Sequence, residues 1–167
     1  MKHSSSSPDG FALLGLLILL AVIEMATSAT VALGVVVQRR SAEAALLDIG
    51  HEFEAALQSY ASATPTGQSP YPASLQDLLK DPRVAGVRRH LRQIYVDPLT
   101  GRAEWGVILA LPSTSSAALI GPGIAGVISL SVAHPIKQDS FDAEFAGFEH
   151  RSSYADWQFK ADRAPIR

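Results

Sequence analysis

The sequence predicts an α+β protein, with a long N-terminal helix packed on a small antiparallel sheet of about three to four strands. Three observations predict it. No proline occurs from residue 11 to residue 63, where the apolar pattern is first continuous and then helically spaced. A breaker cluster, Thr64-Pro65-Thr66-Gly67, follows at once. From Ala103 onward, runs rich in strand formers alternate with Ser-, Pro- and Gly-rich stretches. The chain has 167 residues, so the part beyond the apolar stretch suits one small domain. It has no cysteine, which removes disulfide stapling. The net charge of −2, with both signs interspersed, gives no general case for a nucleic-acid binder.

The stretch GFALLGLLILLAVIEMATSATVALGVVV, residues 10–37, is apolar almost throughout. It is longer than a signal peptide's apolar core of about 7–15 residues. It exceeds the roughly 20 residues that span a bilayer. Gln38-Arg39-Arg40 follows, a basic pair suited to the membrane interface. By charge count alone this pair outweighs Lys2 and favours a cytoplasmic C-terminal side. Glu24 interrupts the run near its middle. A carboxylate there costs energy, and such groups usually face a partner or water. Two readings stand: a protonated or snorkelling side chain near Thr27 and Ser28 with no role, or a contact between assembled copies.

The helical pattern continues beyond Arg40. Ala42, Ala45, Leu46, Ile49, Phe53, Ala56, Leu57 and Tyr60 recur at three- and four-residue steps, with Glu43, Asp48, Glu52, Glu54 and Gln58 assigned to the other side. An unbroken helix of about 50 residues is the expectation, about 75 Å at 1.5 Å per residue. Its outer half presents an apolar stripe to one face of the sheet.

Beyond the breakers, SLQDLLKD predicts a short helix with Ser74 as N-cap and Asp77 in a capping-box-like place. Leu75, Leu78 and Leu79 form its apolar face, and Asp81-Pro82 ends it. VAGVRRHLRQIY, residues 84–95, predicts another helical segment. Val96 to Gly101 predicts a turn in which Asp97 bonds its own backbone and Pro98 fixes φ. Strands are expected within AEWGVILAL (103–111), GIAGVISLSVA (123–133) and YADWQFKA (154–161), with PSTSSAALIGPG as a loop. Trp105 and Trp157 are read as core residues rather than ligand platforms.

Catalytic constellations are missing from the sequence. The histidines at 3, 51, 90, 134 and 150 form no HExxH, and neither GxSxG nor a phosphate-binding GxxxxGK[ST] occurs. An enzyme is therefore not expected. Arg88, Arg89 and Arg92 on the segment 84–95 read first as a solvated helix face; the alternative, a DNA- or phosphate-binding patch, lacks interleaved stacking aromatics. Asp139, Ser140, Asp142 and Glu144 offer hard oxygen ligands of the kind calcium prefers, but without EF-hand spacing. The competing reading, a solvated acidic loop, is preferred. Residues 83–92 hold four arginines and no acid, and residues 139–149 hold four acids and no base, a contrast that stacked copies could use for orientation.

A short polar leader ending in Gly10-Phe11, an apolar helix turning amphipathic and a small domain resemble the type IV pilin and type II secretion pseudopilin superfamily. The patches YPASLQDLLKDPR, HLRQIYVDPLTGRAEWGVI, GIAGVISLS and SYADWQF are similar to a branch related to the major pseudopilin. The resemblance implies a pilin-like fold: leader 1–10, transmembrane half 11–37, amphipathic half 38–63 and globular domain 64–167. It implies cleavage between Gly10 and Phe11 by a prepilin peptidase and methylation of the new Phe11 terminus. It implies a single-pass protein of the bacterial inner membrane with a periplasmic domain, against the charge count. The implied partners are the inner membrane, the peptidase, other pseudopilin subunits and secretion-platform proteins. Calcium is the one cofactor it suggests; the family's calcium loop has no residue-by-residue match here, so Asp139, Asp142 and Glu144 are candidates by their oxygen chemistry alone. This chain departs from the family in Asp9 before the cut and in Gly15, where a glutamate is usual. Glu24 lies nine residues further on, on the opposite side of the helix and about 13 Å along its axis, so it is no simple substitute. The other function expected from these departures is a non-assembling, membrane-anchored periplasmic binding module.

Overall fold

The computed structural model describes residues 9–110 and 123–161, with the side chains of 9, 10 and 26–33 left aside. The expected leader, apart from its last two residues, and nearly all of the expected loop 112–123 lie outside the described residues. Helix α1 spans Asp9–Ser62 and stops ahead of the Pro65 breaker, as expected. The chain divides into two units, 1–39 and 40–167.

In the first unit the described apolar side chains, 11–25 and 34–37, are exposed. Among the described residues no helix is long and apolar enough to cross a membrane. The expected span 11–37 falls partly on residues outside the described side chains.

The second unit is built on the outer part of α1. Strands β1 (Gly106–Leu109), β2 (Ile124–Ile128) and β3 (Gln158–Lys160) form an antiparallel sheet in the order β1-β2-β3. Gly106 pairs with Ile128, and Val127 with Phe159. The α+β expectation holds, with three strands among the described residues. Each strand falls inside its predicted run but is shorter. In YADWQFKA the first residues instead form a 3-10 turn, Tyr154–Asp156. The Asp156 carboxylate fixes that turn by accepting from the Ser153 N–H and from the Ser152 and Ser153 hydroxyls, each at 3.0 Å. Tyr154 and Trp157 are thereby sent into the core, where their rings meet edge to face.

The core joins α1 to the sheet. Leu46, Phe53, Leu57 and Tyr60 from the helix pack with Val127, Phe159 and Trp157. Phe145 and Phe148, from the 3-10 helix Ala143–Phe148, close its side. The Phe148 and Trp157 rings stack 3° from parallel, 5.2 Å apart. Trp105 meets Phe53 edge-on and donates its indole N–H to the Tyr95 carbonyl at 2.8 Å. Both tryptophans are core residues, as read from the sequence. So is the turn at Asp97. One carboxylate oxygen accepts the Leu99 N–H at 2.8 Å and the other the Ser129 hydroxyl at 2.7 Å, inside the core.

Three expectations are corrected. Helix α2 covers only Gln76–Leu79; the Ser74 hydroxyl does not cap it but donates to Asp77, whose carboxylate does reach back to the Ser74 N–H at 3.1 Å, as expected of its capping-box-like place. Residues 84–95 form no helix. Gly86 takes φ +128°, outside helical space, and backbone bonds of His90 and Leu91 to the Leu78 carbonyl tie the segment to α2. Glu43 does not join the solvated side of α1 but is 4% exposed.

Candidate functional site

Three places collect polar side chains in the second unit, and each begins on α1. The first is Glu43. Its Oε1 accepts the N–H groups of Ile136 and Lys137 and the Tyr154 hydroxyl, the last at 2.7 Å. A buried acceptor needs such donors, because leaving it bare costs about 1–3 kcal/mol. One side chain thus ties α1 to two distant loops. Sequence reasoning missed it by weighing charge over position. Glu43, Leu46, Gly50, Phe53, Leu57 and Tyr60 lie at alternating steps of three and four, so they share one face.

The second is a buried cluster at the C-terminal end of α1. The Asp81 carboxylate accepts the Arg83 backbone N–H and Nε, both at 2.9 Å, and Nη2 at 2.8 Å. Arg83 also donates to the Tyr60 carbonyl at 3.0 Å and the Thr64 hydroxyl at 2.6 Å, with its guanidinium 3.5 Å above the Tyr60 ring. The last turn of α1 carries no basic residue, and Arg83 brings that charge from elsewhere to an end that favours cations. Arg83 bonding holds the Asp81 carboxyl well below the usual carboxylate range, against the opposing effect of burial. Arg83 is thus held in the cluster, while Arg88, Arg89 and Arg92 are exposed.

His90 completes this cluster. Its Nε2 lies 3.3 Å from Asp81 and its Nδ1 2.8 Å from the Ser59 hydroxyl. A carboxylate kept ionised can only accept, so Nε2 carries a proton and, in the neutral ring, Nδ1 accepts from Ser59. The connectivity Ser–His–Asp is that of a nucleophile relay. The surroundings oppose that use. Arg83 already neutralises Asp81. Ser59 sits in the last turn of α1, where the helix end is partially negative and destabilises an oxyanion. The cluster is a clamp that fixes the helix end.

The third place is an open groove of about 460 Å³ beside α1, floored by Ala44, Leu47 and Phe145 and rimmed by Asp48, Glu52, Asp142 and Glu144. His51 sits on the rim with Nδ1 3.6 Å from Glu144. Asp139, Asp142 and Glu144 are exposed and do not assemble as a ligand set. Among the described residues no group of three or more His, Cys, Asp or Glu could hold a metal ion.

In the first unit, Gly10 and Phe11 fall in the first turn of α1, with Phe11 82% exposed. Gly15 is exposed, and a Cβ added there would meet nothing within 4 Å. Glu24 is exposed. Comparison with family models, with curated proteins and with solved structures gives no match.

Proposed function

We propose that the chain is a structural pseudopilin subunit of a type II secretion or related pilus-like machine. In this reading it is processed at Gly10-Phe11, held in the inner membrane by residues 11–37 and drawn into a short filament that drives protein export. The observation that carries the reading is the first unit's surface. Leu13, Leu14, Leu16, Leu17, Ile18, Leu19 and Leu20 are each 48–61% exposed. Neighbouring positions on a helix point about 100° apart, so these side chains cover the whole circumference. A helix apolar all round requires lipid or other helices around it. A pseudopilin's helix meets both needs in turn, first in the bilayer and then against its copies, where close packing replaces lipid contacts.

The second reading, a membrane-anchored periplasmic binding module, is favoured by Gly15. The exposed backbone there offers no carboxylate to a neighbour's terminal amine. Mass spectrometry of the N-terminus of membrane-extracted protein separates the two. A mature chain starting at N-methylated Phe11 supports the pseudopilin. A chain retaining residues 1–10 removes prepilin processing and leaves the anchor.

A further inference from the structure

We infer that the groove beside α1 receives the arginine loop of a second copy of this chain, in a head-to-tail contact. The inference rests on the assembly reading above for the identity of the partner. Groove and loop match in two independent respects. The groove has an apolar floor, Ala44, Leu47 and Phe145, and a rim of four acids and one histidine drawn from two segments, Asp48, His51 and Glu52 on α1 and Asp142 and Glu144 opposite. The loop has an apolar tip and basic flanks. Val87 is 71% exposed, beside exposed Arg88 and Arg89, with Arg92 exposed further on.

The loop is presented on a firm base. The Asp81 N–H donates to the Arg88 carbonyl at 2.9 Å, and the His90 and Leu91 N–H groups donate to Leu78. Beneath them lies the buried Asp81–Arg83 pair. Holding the loop in one shape reduces the ordering cost of docking. Opposite charge on the rim sets direction and discourages a groove-to-groove encounter.

Loop and groove cannot be the same surface. Arg83 anchors the loop at Tyr60, whereas the groove centres near Asp48, twelve residues or about 18 Å back along α1. Each copy therefore offers a loop at one place and a groove at another. Such a contact is heterologous, and unless the rotation closes a ring it propagates into a helical filament.

The absence of native cysteine makes cross-linking clean. Full-length protein carrying Ala44→Cys and Val87→Cys, both at exposed positions, is oxidised in detergent micelles. A parallel protein carries Leu17→Cys alone, to report contact between N-terminal helices. The expected result is a ladder of dimers, trimers and longer species from the double variant and dimers at most from each single one. Adding Arg88→Glu and Arg89→Glu lowers the ladder about tenfold or more, and adding Asp48→Lys and Glu52→Lys restores it. Loss of the ladder while Leu17→Cys still cross-links overturns this contact and leaves assembly standing. Loss of both overturns the contact and the assembly reading together. A link closed within one copy, a dimer that grows no further, or a ladder indifferent to the charge reversals also overturns it.

Discussion

The ring of Phe159 lies directly over the bare Cα of Gly50. A Cβ added at Gly50 would collide with the ring's Cε1. Phe159 is fully buried on β3, the strand that forms an edge of the sheet, and cannot swing away. Gly50 therefore sets how closely α1 approaches the sheet. Gly50→Ala gains up to about 1 kcal/mol of helix propensity. It loses about 1–3 kcal/mol by overpacking. The expected net effect is destabilising, seen as a lower urea midpoint for the full-length protein in detergent. Adding Phe159→Leu to Gly50→Ala should recover part of the loss. A Gly50→Ala protein more stable than the parent would mean the helix has freedom to move off.

Acid should weaken the clamp at the end of α1. The folded-state pKa of Asp81 is depressed by Arg83, so its stabilisation is fully present above the unfolded value of about 3.9. It is lost as pH falls from there toward the lower folded-state value. Asp81→Asn leaves Arg83 buried without its counter-charge and should cost about 3–5 kcal/mol at neutral pH. In the variant the part of the acid dependence below about pH 4 that belongs to Asp81 should vanish. Urea titrations at a series of pH values test both points. Equal acid sensitivity in the two proteins would assign that dependence to other carboxylates.

Glu43 should be coupled to Tyr154. Glu43→Ala leaves the Ile136 and Lys137 N–H groups and the Tyr154 hydroxyl without their acceptor. The expected cost is about 2–4 kcal/mol, larger than for Glu43→Gln, whose carbonyl can still accept. Tyr154→Phe alone should cost about 1–2 kcal/mol. In the double-mutant cycle the two losses should fall short of additivity by about 1 kcal/mol. Strict additivity would mean that the bond between them contributes nothing to stability.

What the sequence made legible follows from locality. The end of α1, the Asp97 turn and the three strand positions depend on neighbours within a few residues, and each was read correctly. Gly86 and Glu43 depart from expectation, and the role of Arg83 is hidden, because all three depend on contacts far along the chain. Gly86 fits a helical pattern until Leu78 claims the backbone of His90 and Leu91. Glu43 lies on the buried face by spacing alone, but its charge suggests solvent until donors 93 and 111 residues away are known. Arg83 looks like its arginine neighbours, and only the fold gives it Tyr60. The acidic rim is half legible, since Asp142 and Glu144 stand in an acidic run while Asp48 and Glu52 read as the solvated side of a helix.

Ser59 offers the sharpest test of the clamp reading against a nucleophilic one. Its hydroxyl is exposed and bonds a ring nitrogen of buried His90 at 2.8 Å. As a clamp, its loss should be mild, because Ser59 is exposed and water can take the place of its hydroxyl beside Nδ1; Ser59→Ala should cost about 1 kcal/mol or less. His90→Ala should cost about 2–4 kcal/mol, since it opens a cavity beside Tyr60 and removes a donor from Asp81. As a nucleophile, Ser59 would instead be activated, and a fluorophosphonate would add covalently to its oxygen with loss of fluoride. The expected outcome is no adduct at Ser59 by intact-mass spectrometry and a small stability change in Ser59→Ala. An adduct that disappears in both Ser59→Ala and His90→Ala would turn the cluster from a clamp into a reactive centre.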